Sequence, residues 1–187
     1  MTLSTIDPTP ALIVVDLQKG LLGAPTKPYP VEQAVLQSAR LAKAFRAHGL
    51  PVALVNVDGA APGRTEAGHG GGQRPAGWSD LAEPLDVQPG DIRVTKQRWN
   101  AFHETPLHAE LGRRGATQVI VTGVATSVGV ESTARAAYDL GYHVVLATDA
   151  ITDIDASAHA NSIEHIFPKL GETASVERIL DLLGRDR

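Results

Sequence analysis

Apolar residues run unbroken from Ala11 to Val15 (ALIVV) and stop at Asp16, the pattern of a strand buried on both faces with an acid at its carboxyl end. From Val31 to His48 the spacing turns helical, with Val31, Ala34, Val35, Leu41, Ala42 and Phe45 on one face and Gly49 and Pro51 ending it. A second apolar run, Val52 to Val57, completes a strand–helix–strand unit. Ile92 to Thr95, Gln118 to Thr122 and Val144 to Ala147 predict further strands. Between them fall a helix capped by Thr105 with Pro106 in its first turn, and another from about Gly129 to Leu140 that stops at Gly141. A last helix places Val176, Ile179, Leu180 and Leu183 at helical spacing behind Ser175 as cap, with Gly184 after it. The alternation predicts an α/β class, a three-layer α/β/α sandwich around a mainly parallel sheet. In such sheets chemistry collects at the carboxyl ends of the strands.

One segment breaks the rhythm. Asp58 to Gly90 holds eight glycines and four prolines with no sustained period, which predicts a long loop. Trp78, Leu81 and Leu85 mark its second half as packed against something, either as a subunit contact or as cover for a site. Its glycines neither follow a strand directly nor open a helix, so the GHGGG run is no phosphate loop.

A length of 187 residues suits one domain over 1–187. The net charge of −4 removes the electrostatic case for nucleic acid or an anionic membrane and leaves a small-molecule substrate as the expected partner. No apolar run reaches the ~18 residues of a membrane span, and Met1 to Thr9 lacks the basic start and apolar stretch of a secretory signal, so the expectation is a cytoplasmic protein. The absence of cysteine excludes disulfides, thiolate metal sites and any thiol nucleophile.

Candidate chemistry lies at three strand ends: Asp16, Lys96 and the turn at Gly129. Singly, each has an ordinary reading as a helix cap, a solvated charge or a turn. Four segments in order alter that balance: VVDLQ (Val14 to Gln18), TKQRWNAFHETPL (Thr95 to Leu107), TGVATSVGVESTAR (Thr122 to Arg135) and TDAITD (Thr148 to Asp153). Together they resemble the isochorismatase-like cysteine hydrolase superfamily over nearly the whole chain. The resemblance implies that superfamily's hydrolase fold with a Rossmann-like sheet, and a homo-oligomer, dimer or tetramer. It maps an Asp–Lys–Cys catalytic triad onto Asp16, Lys96 and Gly129, with the cysteine replaced. It also implies a non-proline cis peptide between Val124 and Ala125 that aims the backbone N–H groups of Ala125 and Gly129 at a developing oxyanion.

Glycine offers no nucleophile, and neither Ser127 nor Ser132 has an evident histidine base, so covalent amide hydrolysis is not expected. The isochorismatases of the superfamily also carry glycine here, and they cleave a vinyl ether by protonating the enol carbon. By that resemblance Asp16 is the general acid, while Lys96 orients it and holds a substrate carboxylate. The two demands on Asp16 oppose each other, because burial raises a carboxyl pKa and a neighbouring ammonium lowers it. Gln18, Arg98, Trp99 and Phe102 are the candidate substrate-binding residues, with Arg64 and Arg74 as further carboxylate partners. Solvated arginines and core aromatics are the plain alternatives.

No metal and no cofactor are expected. The nicotinamidase branch binds a divalent ion through an Asp and several His after the second strand, but here only Asp58 holds a comparable place and His69 is the sole histidine in the following loop, while His159 and His165 are expected on the solvent side of a helix. The alternative function is a cysteine amidohydrolase homologue that has lost its nucleophile and kept the pocket as a binding protein or pseudoenzyme.

Overall fold

The computed structural model describes residues 3–66 and 74–185. Six strands form one parallel sheet: β1 (Pro10–Val15), β2 (Val52–Val57), β3 (Ile92–Lys96), β4 (Gln118–Val124), β5 (His143–Thr152) and β6 (Gly171–Ala174). Their order across the sheet is β3-β2-β1-β4-β5-β6. The chain first winds outward from β1 to β3, then restarts at β4 beside β1 and winds the other way. The reversal opens a crevice above the carboxyl ends of β1 and β4.

The unbroken apolar runs follow from burial on both faces. In β1, Leu12 and Val14 point into one core layer with α1 (Val31–Ala47), whereas Ala11, Ile13 and Val15 point into the other. That second layer is covered by α2 (Leu107–Arg113) and α3 (Glu131–Asp139). Helix α1 buries the predicted face together with Ser38, and Gly49, in the left-handed region at φ +69°, ends it. The predicted cap at Thr105 lies one residue before the helix-capping Pro106; its hydroxyl donates to the Ala101 carbonyl and accepts the Leu107 N–H at 3.4 Å.

Several boundaries differ from the expectation. β5 does not end at Ala147: its register against β4 jumps from Val121↔Leu146 to Gly123↔Ile151, and the strand resumes to Thr152. Asp149, inside the jump, accepts the Val176 N–H at 2.7 Å. The four residues of β6 carry no apolar run and escaped prediction; Leu3 donates to Thr173 there. The helical backbone after β4 begins at Thr126, three residues before the predicted start, with a single π-helical turn (Thr126–Val130) ahead of α3. After β5 come α4 (Ala156–Asn161), a second π-helical turn (Ser162–Ile166) and the short α5 (Phe167–Leu170). The last helix, α6 (Val176–Arg185), is capped by Ser175, whose hydroxyl accepts the Arg178 N–H, and runs through Gly184 instead of stopping before it. Leu182 takes the core position expected for Leu180, which is only partly buried.

In the long loop, residues 74–85 pack as predicted. Leu85 and Ala82 are fully buried and Leu81 lies against the α1 layer. Arg46 of α1 straps this segment down, pairing with both oxygens of buried Asp91 and donating to the Leu85 carbonyl. Gly68 and the GHGGG run, with His69, lie outside the described residues. No described helix is long and apolar enough to cross a membrane.

Candidate active site

Asp16 sits at the strand-order reversal, where β1 leaves the sheet. Its backbone turns into the left-handed region (φ +56°), a conformation that costs an L residue on the order of 1–2 kcal/mol. The turn is held by the Asp16 N–H donating to the Val55 carbonyl and by Gln18 N–H donating back to the Asp16 carbonyl. Lys96 ends β3, two strands away. Its ammonium crosses β2 and meets Asp16 Oδ2 at 2.7 Å, with both residues almost wholly buried at 1% and 6% exposure. A second ammonium hydrogen goes to the Arg98 carbonyl at 3.0 Å.

Asp16 Oδ1 is buried without a hydrogen-bond partner. An ionised carboxylate would carry half its charge on that bare oxygen, which water cannot reach and no donor supports. Burial therefore dominates, and it pushes the Asp16 carboxyl up to about 6 against the lowering pull of Lys96. The two opposed demands are resolved in favour of an acid that still holds its proton in mildly acidic solution.

Gly129 lies beside this pair. A Cβ built on it would stand 3.0 Å from Asp16 Oδ2, 3.1 Å from Val15 Cγ1 and 3.2 Å from the Val124 carbonyl oxygen. So the turn presses its bare backbone against the acid. The Val124–Ala125 peptide is cis, and the Ala125 carbonyl accepts from both Val128 and Val130 N–H groups. Thr133 donates to the Gly129 carbonyl at 2.7 Å and accepts the Ala101 N–H, tying the turn to the segment behind Lys96.

Asp16, Lys96, Val124, Ala125 and Gly129 open onto one cavity of about 290 Å³. Its other walls are Leu21, Val57, Val128, Trp99 and Ile154, with Arg74 at one side. Trp99 and Ile154 stand at the mouth, 63% and 68% exposed. The Arg74 guanidinium stacks 4.0 Å over Trp78 and reaches Asp58 and the Gly59 carbonyl, both at 3.4 Å. Asp58, the residue in the metal-binding place, serves there as the arginine's partner.

Three of the four expected substrate-binding side chains lie off the cavity wall. Gln18 is fully buried because its carboxamide closes on backbone, accepting the Val57 N–H at 2.8 Å and donating to the Val57 and Trp78 carbonyls. Phe102 points into the layer under α2 and stacks on Tyr142 at 5.9 Å between centroids. The Arg98 guanidinium turns to the carbonyls of Ala60 and Gln97 and faces an outer groove, so its contribution is the main-chain oxygen under Lys96. Only Trp99 reaches the cavity. Arg64 is exposed.

A layer behind the turn was missed in the sequence. Asp153, 1% exposed, accepts both the N–H and the hydroxyl of Ser127 at 2.7 and 2.8 Å, while its backbone pairs with Lys27. His159 is the main correction: α4 turns it inward, buried, with Nδ1 2.9 Å from the Thr126 hydroxyl. Burial holds its pKa below the ordinary imidazole value, against the opposing pull of Asp153. His165 is exposed, as expected. The one legible sign of this layer was TDAITD, whose last residue is Asp153.

Comparison with known proteins agrees with this geometry. The sequence profile of the isochorismatase domain matches residues 10–178. The isochorismatase family protein YecD of Escherichia coli is 38% identical over 181 residues, spanning 94% of this chain and 96% of its own. An isochorismatase family protein from Burkholderia thailandensis superimposes with a TM-score of 0.93 at 39% identity, covering 96% of this chain and 98% of the other. Streptothricin hydrolase of Streptomyces noursei is 37% identical over 150 residues, 79% of this chain but 51% of that enzyme. Matched along nearly its full length in both sequence and fold, the chain belongs to the isochorismatase family of α/β hydrolases.

Proposed function

We propose that the protein hydrolyses a small carboxylated substrate without a covalent enzyme intermediate, and that the reaction is vinyl ether cleavage of the isochorismatase type. The observation that carries this reading is the Asp16 carboxyl, held protonated by burial up to about 6 and set against a residue with no side chain. Asp16 delivers its proton to the enol carbon. The resulting oxocarbenium ion is captured by water, and the hemiketal collapses to a 2-oxo acid and an alcohol. Lys96 stabilises the carboxylate left behind and has a third N–H to offer a substrate oxygen. Arg74 binds a substrate carboxylate, and Trp99 with Ile154 offers apolar surface to the rest of the substrate.

Pyruvate release from enolpyruvyl ethers tests the reading. Asp16→Asn is expected to abolish turnover and keep saturable binding; unimpaired turnover removes Asp16 from the chemistry.

The contact between Gly129 and Asp16 supports a second reading, in which the pocket descends from a cysteine amidohydrolase. A side chain at 129 would start 3.0 Å from the carboxyl, where a thiol meets a base. Amidase activity gained by Gly129→Cys and absent from the parent would favour this origin.

A further inference from the structure

We propose that the same cavity ketonises enols of 2-oxo acids that carry an apolar β-substituent, with Asp16 as the proton donor to carbon. The inference rests on the reading of Asp16 as an acid, and adds a second reaction that needs neither water nor a leaving alcohol.

The walls limit what the site can do. Among the described lining residues there is no serine, cysteine or histidine to make a bond to substrate. Thr26, the one hydroxyl among the described lining residues, donates to the Tyr29 carbonyl at 2.8 Å. What remains is proton transfer from Asp16, charge from Lys96 and Arg74, and apolar surface. An enol ether and a free enol present the same C=C bond to the acid and differ only in what the oxygen carries. A group placed to protonate one is placed to protonate the other.

The step balances without a co-reactant. The Asp16 O–H bond breaks as the C–H bond forms at the β carbon from the enol π pair. The enol oxygen closes to a carbonyl and its proton passes to the Asp16 carboxylate, directly or through one water, restoring the acid. Lys96, fixed between Asp16 Oδ2 and the Arg98 carbonyl, stabilises the carboxylate between the two transfers.

The lining selects the substrate class. Arg74 and the third Lys96 hydrogen take the carboxylate and enol oxygen, and Leu21, Val57, Val128, Trp99 and Ile154 take an apolar group. A volume of about 290 Å³ has room for roughly ten water-sized groups, enough for a 2-oxo acid with one ring.

The enol of phenylpyruvate is the probe, followed by loss of its ultraviolet absorbance near pH 6. The wild type is expected to exceed the buffer rate by about a hundredfold or more, the usual contribution of a positioned acid. In D2O the product should carry one deuterium of a single handedness at the β carbon. Asp16→Asn returns the rate to that of buffer. Arg74→Gln, which leaves the buried pair intact, raises KM about tenfold with kcat little changed, as expected for one lost charged contact. A wild-type rate equal to buffer, a racemic label, or an Asp16→Asn enzyme of undiminished rate overturns the proposal. Enolpyruvyl ether cleavage, run in parallel, separates the two readings. Ether cleaved with enol untouched defeats this inference alone; enol ketonised with ether intact defeats the hydrolytic reading alone.

Discussion

Replacing Lys96 by methionine should make Asp16 a weaker acid. The two groups meet at 2.7 Å with their side chains 2% and 8% exposed, so water screens the pair little. Burial already holds the Asp16 carboxyl at about 6, above its ordinary 3.8, and Lys96 is the force that keeps it from rising further. An opposite charge this close depresses a carboxyl by about one to three pH units, so its removal should raise the midpoint by a similar amount. Methionine keeps most of the stem volume and adds no charge. The midpoint can be read from the carboxyl carbon resonance of Asp16 in aspartate-labelled protein, assigned by its loss in Asp16→Asn. Stability supplies a second readout. Because the folded state holds this proton more tightly than the unfolded chain, the group's stabilisation is fully present below pH 3.8 and is lost as pH rises through about 6. At 1.36 kcal/mol per pH unit the loss is roughly 3 kcal/mol in the wild type, and in Lys96→Met it should extend to higher pH. Urea unfolding at stepped pH measures it. A wild-type midpoint in the ordinary carboxylate range, or one that stays or falls in Lys96→Met, refutes the balance of burial and charge described here.

Gly129→Ala puts a methyl 3.0–3.2 Å from three neighbours and is expected to cost about 1–3 kcal/mol, seen as a lowered Tm; an unchanged Tm would mean that the turn yields freely. Asp153→Ala leaves the Ser127 N–H and hydroxyl without their acceptor, a loss of about 1–3 kcal/mol, and should speed amide exchange at Ser127. Arg46→Met breaks the buried pair with Asp91 and should destabilise by about 3–5 kcal/mol in denaturant titration, since the carboxylate stays buried without its guanidinium.

The sheet was legible because parallel strands covered on both faces need apolar runs, which the four central strands had, while the edge strand β3 (IRVTK) showed the alternation of a strand. β6 (GETA) and the second part of β5 lacked that mark: one is a short edge, the other resumes only after Asp149 steps aside to cap α6. Asp16 and Lys96 could be placed near one another because both end strands, whereas side-chain direction after a strand end obeys no period. Gln18 therefore turned inward to backbone, Phe102 joined Tyr142, and Arg98 offered its carbonyl where its charge was expected. His159 was misplaced for a related reason. Polar neighbours in its helix point to solvent, but the partner that draws it inward, Thr126, lies on another element.

The reversal of strand order divides the chemistry between two halves of the chain. The acid and the amine come from β1 and β3, the bare turn from the segment after β4, and they meet only along the β1–β4 seam. A chain cut near Gly115 would thus yield two inert pieces, one bearing an orphaned carboxyl–ammonium couple and the other a vacant bend. The pocket exists only where those two halves of the chain pair along the central seam.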